Sequence, residues 1–298
     1  MRFSAWPNPS QPWESTLELA LHVEATGWDG LWFADHFMPN AEDTIPPVNE
    51  AWTTLAGLAA ATKRIRLGTM VTGNTYRHPA VLAKMAAGVD VISNGRCVLG
   101  LGSGWQENEH AAYGLEFDTV PGRLRRLEEA CQVIKGLFAN EKTTFAGKYY
   151  QLADAPLAPK PVQNPLPLLI GGGGEQRTLR ITAKYADEWN VWGDPATLRS
   201  KMAILDRHCA EVGRNPAAIQ RSAVALVVMS DDAAVVERAR AAGRPELGGT
   251  AEQIRATVRE HQDAGVQEIL VPDFTLGRGA VRLAAYDKFM DEVASHFR

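Results

Sequence analysis

Short apolar runs alternate with longer stretches of helical periodicity from one end of the chain to the other. Residues 2–6 form the first apolar run, closed by Pro7 and Pro9. From Trp13 the apolar positions Leu17, Ala20, Leu21 and Ala25 recur at helical spacing, and Gly27 supplies the stop. Residues 30–34 read as a second strand, 50–62 as an Ala- and Leu-rich helix, and 64–71 as a third strand. A helix over 79–93 ends at Asn94-Gly95, a fourth strand covers 96–101, and Leu124, Leu127, Cys131, Ile134 and Phe138 mark an amphipathic helix. Regularity breaks between 143 and 167, where TTFAGKYYQL reads as a hairpin and Pro156, Pro159, Pro161, Pro165 and Pro167 make an extended crossing. The alternation then resumes: strand 168–170, helix 175–185, strand 188–192, helix 196–212. A longer strand over 222–229 precedes helical stretches at 232–242 and 251–264, and 268–271 is the last strand. A closing helix carries Leu283, Tyr286, Phe289, Met290 and Val293.

Strands separated throughout by helices make a parallel sheet with helical crossovers, because parallel neighbours need long connections. An open doubly wound sheet fits the first half equally well. Eight strands in one uninterrupted series favour closure into an α/β (β/α)8 TIM barrel, with the hairpin and Pro-rich insertion between strands four and five. The 298 residues exceed the roughly 150 of an average domain, yet α/β barrels run to about 250 or more as one unit. A single barrel domain over 1–298 is therefore expected.

Lys and Arg total 31 against 35 Asp and Glu, a net charge of -4, and no basic run is present, which argues against a nucleic-acid partner. No apolar segment approaches the length of a membrane span, and MRFSAWPNPS lacks the charged head and apolar stretch of a signal peptide, so a cytoplasmic protein is expected. Cys97, Cys131 and Cys209 are far apart and read as small buried hydrophobes. The helix around Trp52 to Leu58 carries apolar residues on more than one face, as either a homodimer contact or tight internal packing would require.

In a barrel of this kind chemistry gathers at the carboxyl ends of the strands. Asp35-His36 ends strand two and offers a carboxylate and an imidazole that can hold or move a proton near neutral pH; a capping Asp and a backbone-bonded His would give the same letters. GTMVTGNTYRHP follows strand three and GLGSGW follows strand four. The latter is neither a dinucleotide fingerprint nor a nucleophile elbow, since Trp105 stands where each needs a glycine. What remains is a small-residue strand end against which something planar can lie, with Asn108 one turn later. Gly171 to Gly174 lead toward a helix after strand five, leaving free N–H groups at the positive end of its dipole, and Arg177 and Arg180 add positive charge. That is a recipe for an anionic ligand, although tight-turn glycines alone account for the same run. The absence of HExxH, of clustered Cys and His and of GxxxxGK[ST] argues against a zinc enzyme, any other metal site or a P-loop nucleotidase.

Taken together and in order, strand-DHF, LGTMVTGNTYRHPAVLAK, GRCVLGLGSGWQENEH and PLLIGGGGEQRTLRITAKYADEWN resemble the luciferase-like superfamily, and specifically its coenzyme F420-dependent branch. The resemblance is strong to about Trp192 and rests on general pattern beyond. It implies that Asp35 and His36 contact the deazaflavin ring, with His36 near the site of hydride transfer as the catalytic residue. It implies a non-prolyl cis peptide at Met70-Val71 behind the ring, with Thr72 beside it, and a cofactor lining of Gly102, Ser103, Gly104 and Asn108. Gly172, Gly173, Gly174 and Glu175, with Arg177, would hold the cofactor phosphate. Trp6, Asn8, Asn40 and Trp105 would shape the substrate pocket.

The chain departs from the glucose-6-phosphate dehydrogenase branch, where DHF is followed by Pro-Trp; here Asn40 follows Pro39, and Trp105 stands at a glutamate assigned as an acid there. The expectation is a small planar or unsaturated organic substrate reduced by the dihydro cofactor. The loops fit FMN and a luciferase-like monooxygenase as well, since both cofactors present a tricyclic ring and a phosphate. A non-catalytic cofactor-binding barrel is the third alternative.

Overall fold

The computed structural model describes residues 1–298. Eight parallel strands close into a barrel: β1 Arg2–Trp6, β2 Gly30–Phe33, β3 Arg66–Thr69, β4 Cys97–Gly102, β5 Leu168–Gly171, β6 Glu188–Trp192, β7 Gln220–Val224 and β8 Glu268–Pro272. Each pairs with the strands before and after it, and the ring shuts where β8 lies beside β1, Phe3 opposite Ile269 and Ser4 opposite Leu270. This order sets β2 across the barrel from β6 and β3 across from β7.

Around the ring lie α1 Trp13–Ala25, α2 Ala51–Ala61, α3 Pro79–Ser93, α4 Glu107–Tyr113, α5 Val120–Ala139, α6 Thr178–Tyr185, α7 Pro195–Glu211, α8 Ala233–Ala241, α9 Ala251–Asp263 and α10 Gly279–Glu292. Local chemistry sets many of their ends. Pro79 opens α3, and the His78 ring accepts the Ala80 N–H; Asn94 closes it in the left-handed conformation. Asp194 caps α7, and Thr250 with Gln253 forms a reciprocal capping box on α9.

Alternation along the strands divides the core. Outward residues such as Phe3, Leu31, Leu67, Leu99 and Ile269 join the layer between sheet and helices. Trp6, Trp32, Val98, Leu169, Val224 and Leu270 point inward and fill the barrel. At its amino end the barrel encloses Glu268, which accepts Ser4 Oγ at 2.6 Å, Trp32 Nε1 at 3.0 Å and Arg66 Nη1 at 3.1 Å. Every one of those donors faces a carboxylate that no water reaches, so this end is a satisfied polar plug. The chemistry is left to the other end.

The hairpin stands as expected, Lys142–Ala146 pairing antiparallel with Gln151–Pro156 in the connection from β4 to β5. Four details differ from the sequence pattern. The third strand stops at Thr69; Met70-Val71 is a cis peptide, and Thr72–Gly73 then pairs with Leu101 and Gly102. The apolar run 222–229 is two strands, because Leu226–Met229 leaves the barrel to pair with Glu246–Gly249; uninterrupted apolar letters hide a change of partner. The helix after the glycines starts at Thr178 rather than 175, since residues 175–177 form a turn and the Leu179 N–H reaches Gly174. The short helix α4, with no apolar stripe, was not legible in the periodicity. As for the helix around Trp52, its apolar positions Trp52, Leu55 and Leu58 are buried within the chain itself, so internal packing accounts for them.

Candidate active site

The carboxyl ends of the strands surround a cavity of about 830 Å³, the size of a cofactor or substrate site. Of the residues singled out in the sequence, Trp6, Asn8, His36, Met70, Val71, Gly102, Ser103, Gly104, Trp105, Gly172 and Gly173 line it. The strand-two histidine and the glycines after strand five thus share one end of the barrel and one cavity.

His36 follows β2 and is 19% exposed. Its Nδ1 lies 2.9 Å from Oε1 of Glu109, a residue with no solvent exposure. The other carboxylate oxygen accepts the Phe37 N–H at 2.9 Å, and the Tyr76 hydroxyl donates to Oε1. A carboxylate on Nδ1 fixes the proton there, which leaves Nε2 as the ring nitrogen free toward the cavity. Burial alone would push the Glu109 carboxyl up, but the bonds from His36, Phe37 and Tyr76 outweigh it and hold the group below its usual range. Burial and the Glu109 carboxylate drive the Tyr76 phenol upward, so it stays a donor. Trp105 stands edge-on to the imidazole, ring centroids 5.3 Å apart.

Asp35 does not reach the cavity. It is fully buried and takes both arms of Arg77, at 2.6 and 3.2 Å, and Arg77 also pairs with Glu50. Burial pushes the Asp35 carboxyl up and Arg77 offsets only part of that. Its lone pairs serve the loop that carries His36, so the carboxylate is spent on Arg77 rather than turned to the cavity. Thr72 is likewise buried and accepts the Trp52 indole N–H at 2.9 Å. Asn108 donates to the Pro39 carbonyl at 3.1 Å, and Asn40 is exposed outside the cavity. Gly174, Glu175 and Arg177 also lie beyond its wall: Glu175 pairs with Lys201 at 2.7 Å, and Arg177 is exposed at the start of α6.

The remaining glycines fit an anion-carrying cofactor. Gly172 has φ +122°, which L side chains rarely adopt, and its N–H is spent on Asn190. That conformation leaves the Gly173 and Gly174 N–H groups without an acceptor in the chain. Val71 is packed so closely that a Cβ on Gly102 or Gly171 would come within 2.8 Å of it. The missing Cβ atoms at these two strand ends thus make room for Val71 on the cavity wall, and the Trp6 indole N–H, also on the wall, has no partner.

Sequence reasoning passed over Tyr76, Glu109, Asn190, Trp192, Arg244 and Phe274, all but Glu109 on the cavity wall. Glu109 adjoins the Asn108 singled out above, and the first turn of α4 aims the glutamate inward instead. A buried acid in the first turn of a helix after a strand-end glycine run would have been the signal. Arg244 and Phe274 come from loops whose letters carry no motif.

The family model described as luciferase-like monooxygenase matches residues 1–275. The chain is 38% identical over 172 residues to an F420-dependent glucose-6-phosphate dehydrogenase of Amycolatopsis mediterranei, covering 57% of this chain and 49% of that one. It is 31% identical over 231 residues to an F420-dependent hydroxymycolic acid dehydrogenase of Mycobacterium tuberculosis, covering 75% and 62%. The chain thus spans about half the length of several curated relatives it matches. Its fold superposes on the F420-dependent tetrahydromethanopterin reductase of Methanopyrus kandleri with a TM-score of 0.84 at 21% identity, over 100% of this chain and 99% of that one.

Proposed function

The chain belongs to the luciferase-like monooxygenase family, and we propose that it serves there as a coenzyme F420-dependent oxidoreductase that reduces a small organic substrate. The observation that carries this reading is the pairing of His36 with buried Glu109 on the same cavity as Gly173, whose amide, like that of Gly174 just beyond the wall, has no acceptor in the chain. The F420-dependent dehydrogenases among its relatives support the choice of cofactor.

The deazaflavin, when bound, supplies a carbon that gives or takes a hydride. Everything else falls to the chain. Met70 and Val71 back the ring, Gly102 to Gly104 let it lie against the backbone, and the amides after β5 hold its phosphate. His36 Nε2 holds or delivers the proton that accompanies reduction, while the Glu109 carboxylate compensates the charge on the imidazole when both nitrogens are protonated. Trp105 and Trp6 line the cavity beside the reacting face.

Titration of the purified protein with F420 and, separately, FMN tests this, read by quenching of the cavity tryptophans. Saturable F420 binding tighter than FMN binding is expected. Tight FMN binding without F420 binding overturns the cofactor assignment and leaves an FMN-dependent monooxygenase.

A further inference from the structure

The cavity wall carries no carboxylate and a single side chain of fixed positive charge, Arg244, in the loop between α8 and the strand Glu246–Gly249. Arg240, four residues earlier, is paired with Glu237 and Glu246. Arg244 has no acidic partner; its guanidinium lies over the Trp192 ring, 5.4 Å from the centroid. Trp192 leans on Trp6 at 5.8 Å, and Trp6 on Phe274 at 5.7 Å, so an aromatic wall continues from the cation.

Strand order places this wall. The connection holding Arg244 follows β7, across the barrel from β3 and hence from the Met70-Val71 peptide. Trp192 ends β6, across from the end of β2 that carries His36. The anion-anchoring glycines end β5 and belong to neither group. A ring resting on Met70-Val71 therefore turns its free face toward Arg244 and the aromatic wall.

We propose that Arg244 is the residue that selects the substrate, and that the substrate is a carboxylate borne on a flat, apolar body. The placement of the redox ring is taken from the proposed function. A planar guanidinium pre-organised on an indole matches the two oxygens of a carboxylate and loses little freedom in binding it. In a cavity without acidic groups its charge is not cancelled by a neighbour. Trp6, Trp192 and Phe274 offer aromatic surface for an unsaturated or aryl group.

Calorimetric binding of trans-cinnamate, methyl cinnamate and glucose 6-phosphate to the F420-loaded protein tests the idea in wild type, Arg244→Met and Arg244→Lys. Cinnamate should bind about tenfold more tightly than its ester, the scale of a charge-assisted contact. Arg244→Met should erase that preference, Arg244→Lys should keep part of it, and F420 affinity should stay within twofold in both. Absence of cinnamate binding, equal binding of the ester, or a preference that survives Arg244→Met overturns the proposal. Arg244→Met losing F420 affinity assigns the arginine to the cofactor and overturns it as well. Glucose 6-phosphate binding more tightly than cinnamate overturns the apolar body. If the wild type takes up FMN rather than F420, the same comparison on the FMN-loaded protein still decides the role of Arg244, so the two readings fail separately.

Discussion

The imidazole Nδ1 of His36 lies 2.9 Å from the Oε1 of Glu109, although 73 residues separate the two in sequence. The helix start at 107 and the strand end at 33 meet only because β2 and β4 flank β3 in the closed ring. This bond decides which nitrogen of the histidine faces the cavity, and most of the expected behaviour follows from it.

Replacing His36 with Ala removes the Nε2 group while leaving the strand-end glycines intact. Turnover should fall by about 10²–10⁴-fold, the range for losing a proton-transfer group. F420 affinity, read by fluorescence titration, should change by no more than a few fold. Turnover equal to wild type would take His36 out of the mechanism.

Glu109→Gln preserves the size of the side chain and its bond to Nδ1 but removes the charge. We expect kcat to drop roughly tenfold with F420 affinity unchanged. The same carboxyl also bears on acid stability. Its folded-state value lies below the ordinary 4.5, so it stabilises the fold fully above that pH and the contribution disappears as pH falls through the folded value. Below pH 4.5, thermal midpoints of wild type should therefore fall more steeply than those of Glu109→Gln. Parallel curves for the two proteins would contradict the depressed value.

Arg77→Met leaves Asp35 buried without its partner. Breaking a buried pair from one side typically costs about 3–5 kcal/mol, and urea midpoints should shift accordingly. Adding Asp35→Asn should recover part of the loss, since the second change removes the stranded charge. A single variant as stable as wild type would mean that the pair does not hold the His36 loop.

Gly172→Ala places a side chain where φ is +122°. Backbone in such regions costs on the order of 1–3 kcal/mol for residues with a Cβ, and the free amides beyond it should lose their alignment. Both a lower denaturation midpoint and F420 binding weakened about tenfold are expected. Cofactor affinity equal to wild type would remove the 171–173 stretch from the anchoring site.

The one-dimensional order of apolar runs, caps and glycines was enough to establish the barrel, the hairpin insertion and the loops that meet at its mouth. These features rest on short-range chemistry: Pro79 starts a helix, Asn94-Gly95 stops one, and a β-branched run pairs as a strand wherever it falls. Through the family resemblance the same letters also pointed to the cis bond at Met70-Val71. Local letters could not say where a side chain is spent. Asp35 and His36 are adjacent, yet one is consumed by Arg77 inside the wall and the other opens on the cavity, because successive residues of an extended segment point to opposite sides. Nor could they join Glu109 to His36, or Arg244 to Trp192, or show that 226–229 changes partner at Ala225. Such pairings depend on which strands become neighbours when the ring closes, and closure is a property of the whole chain at once.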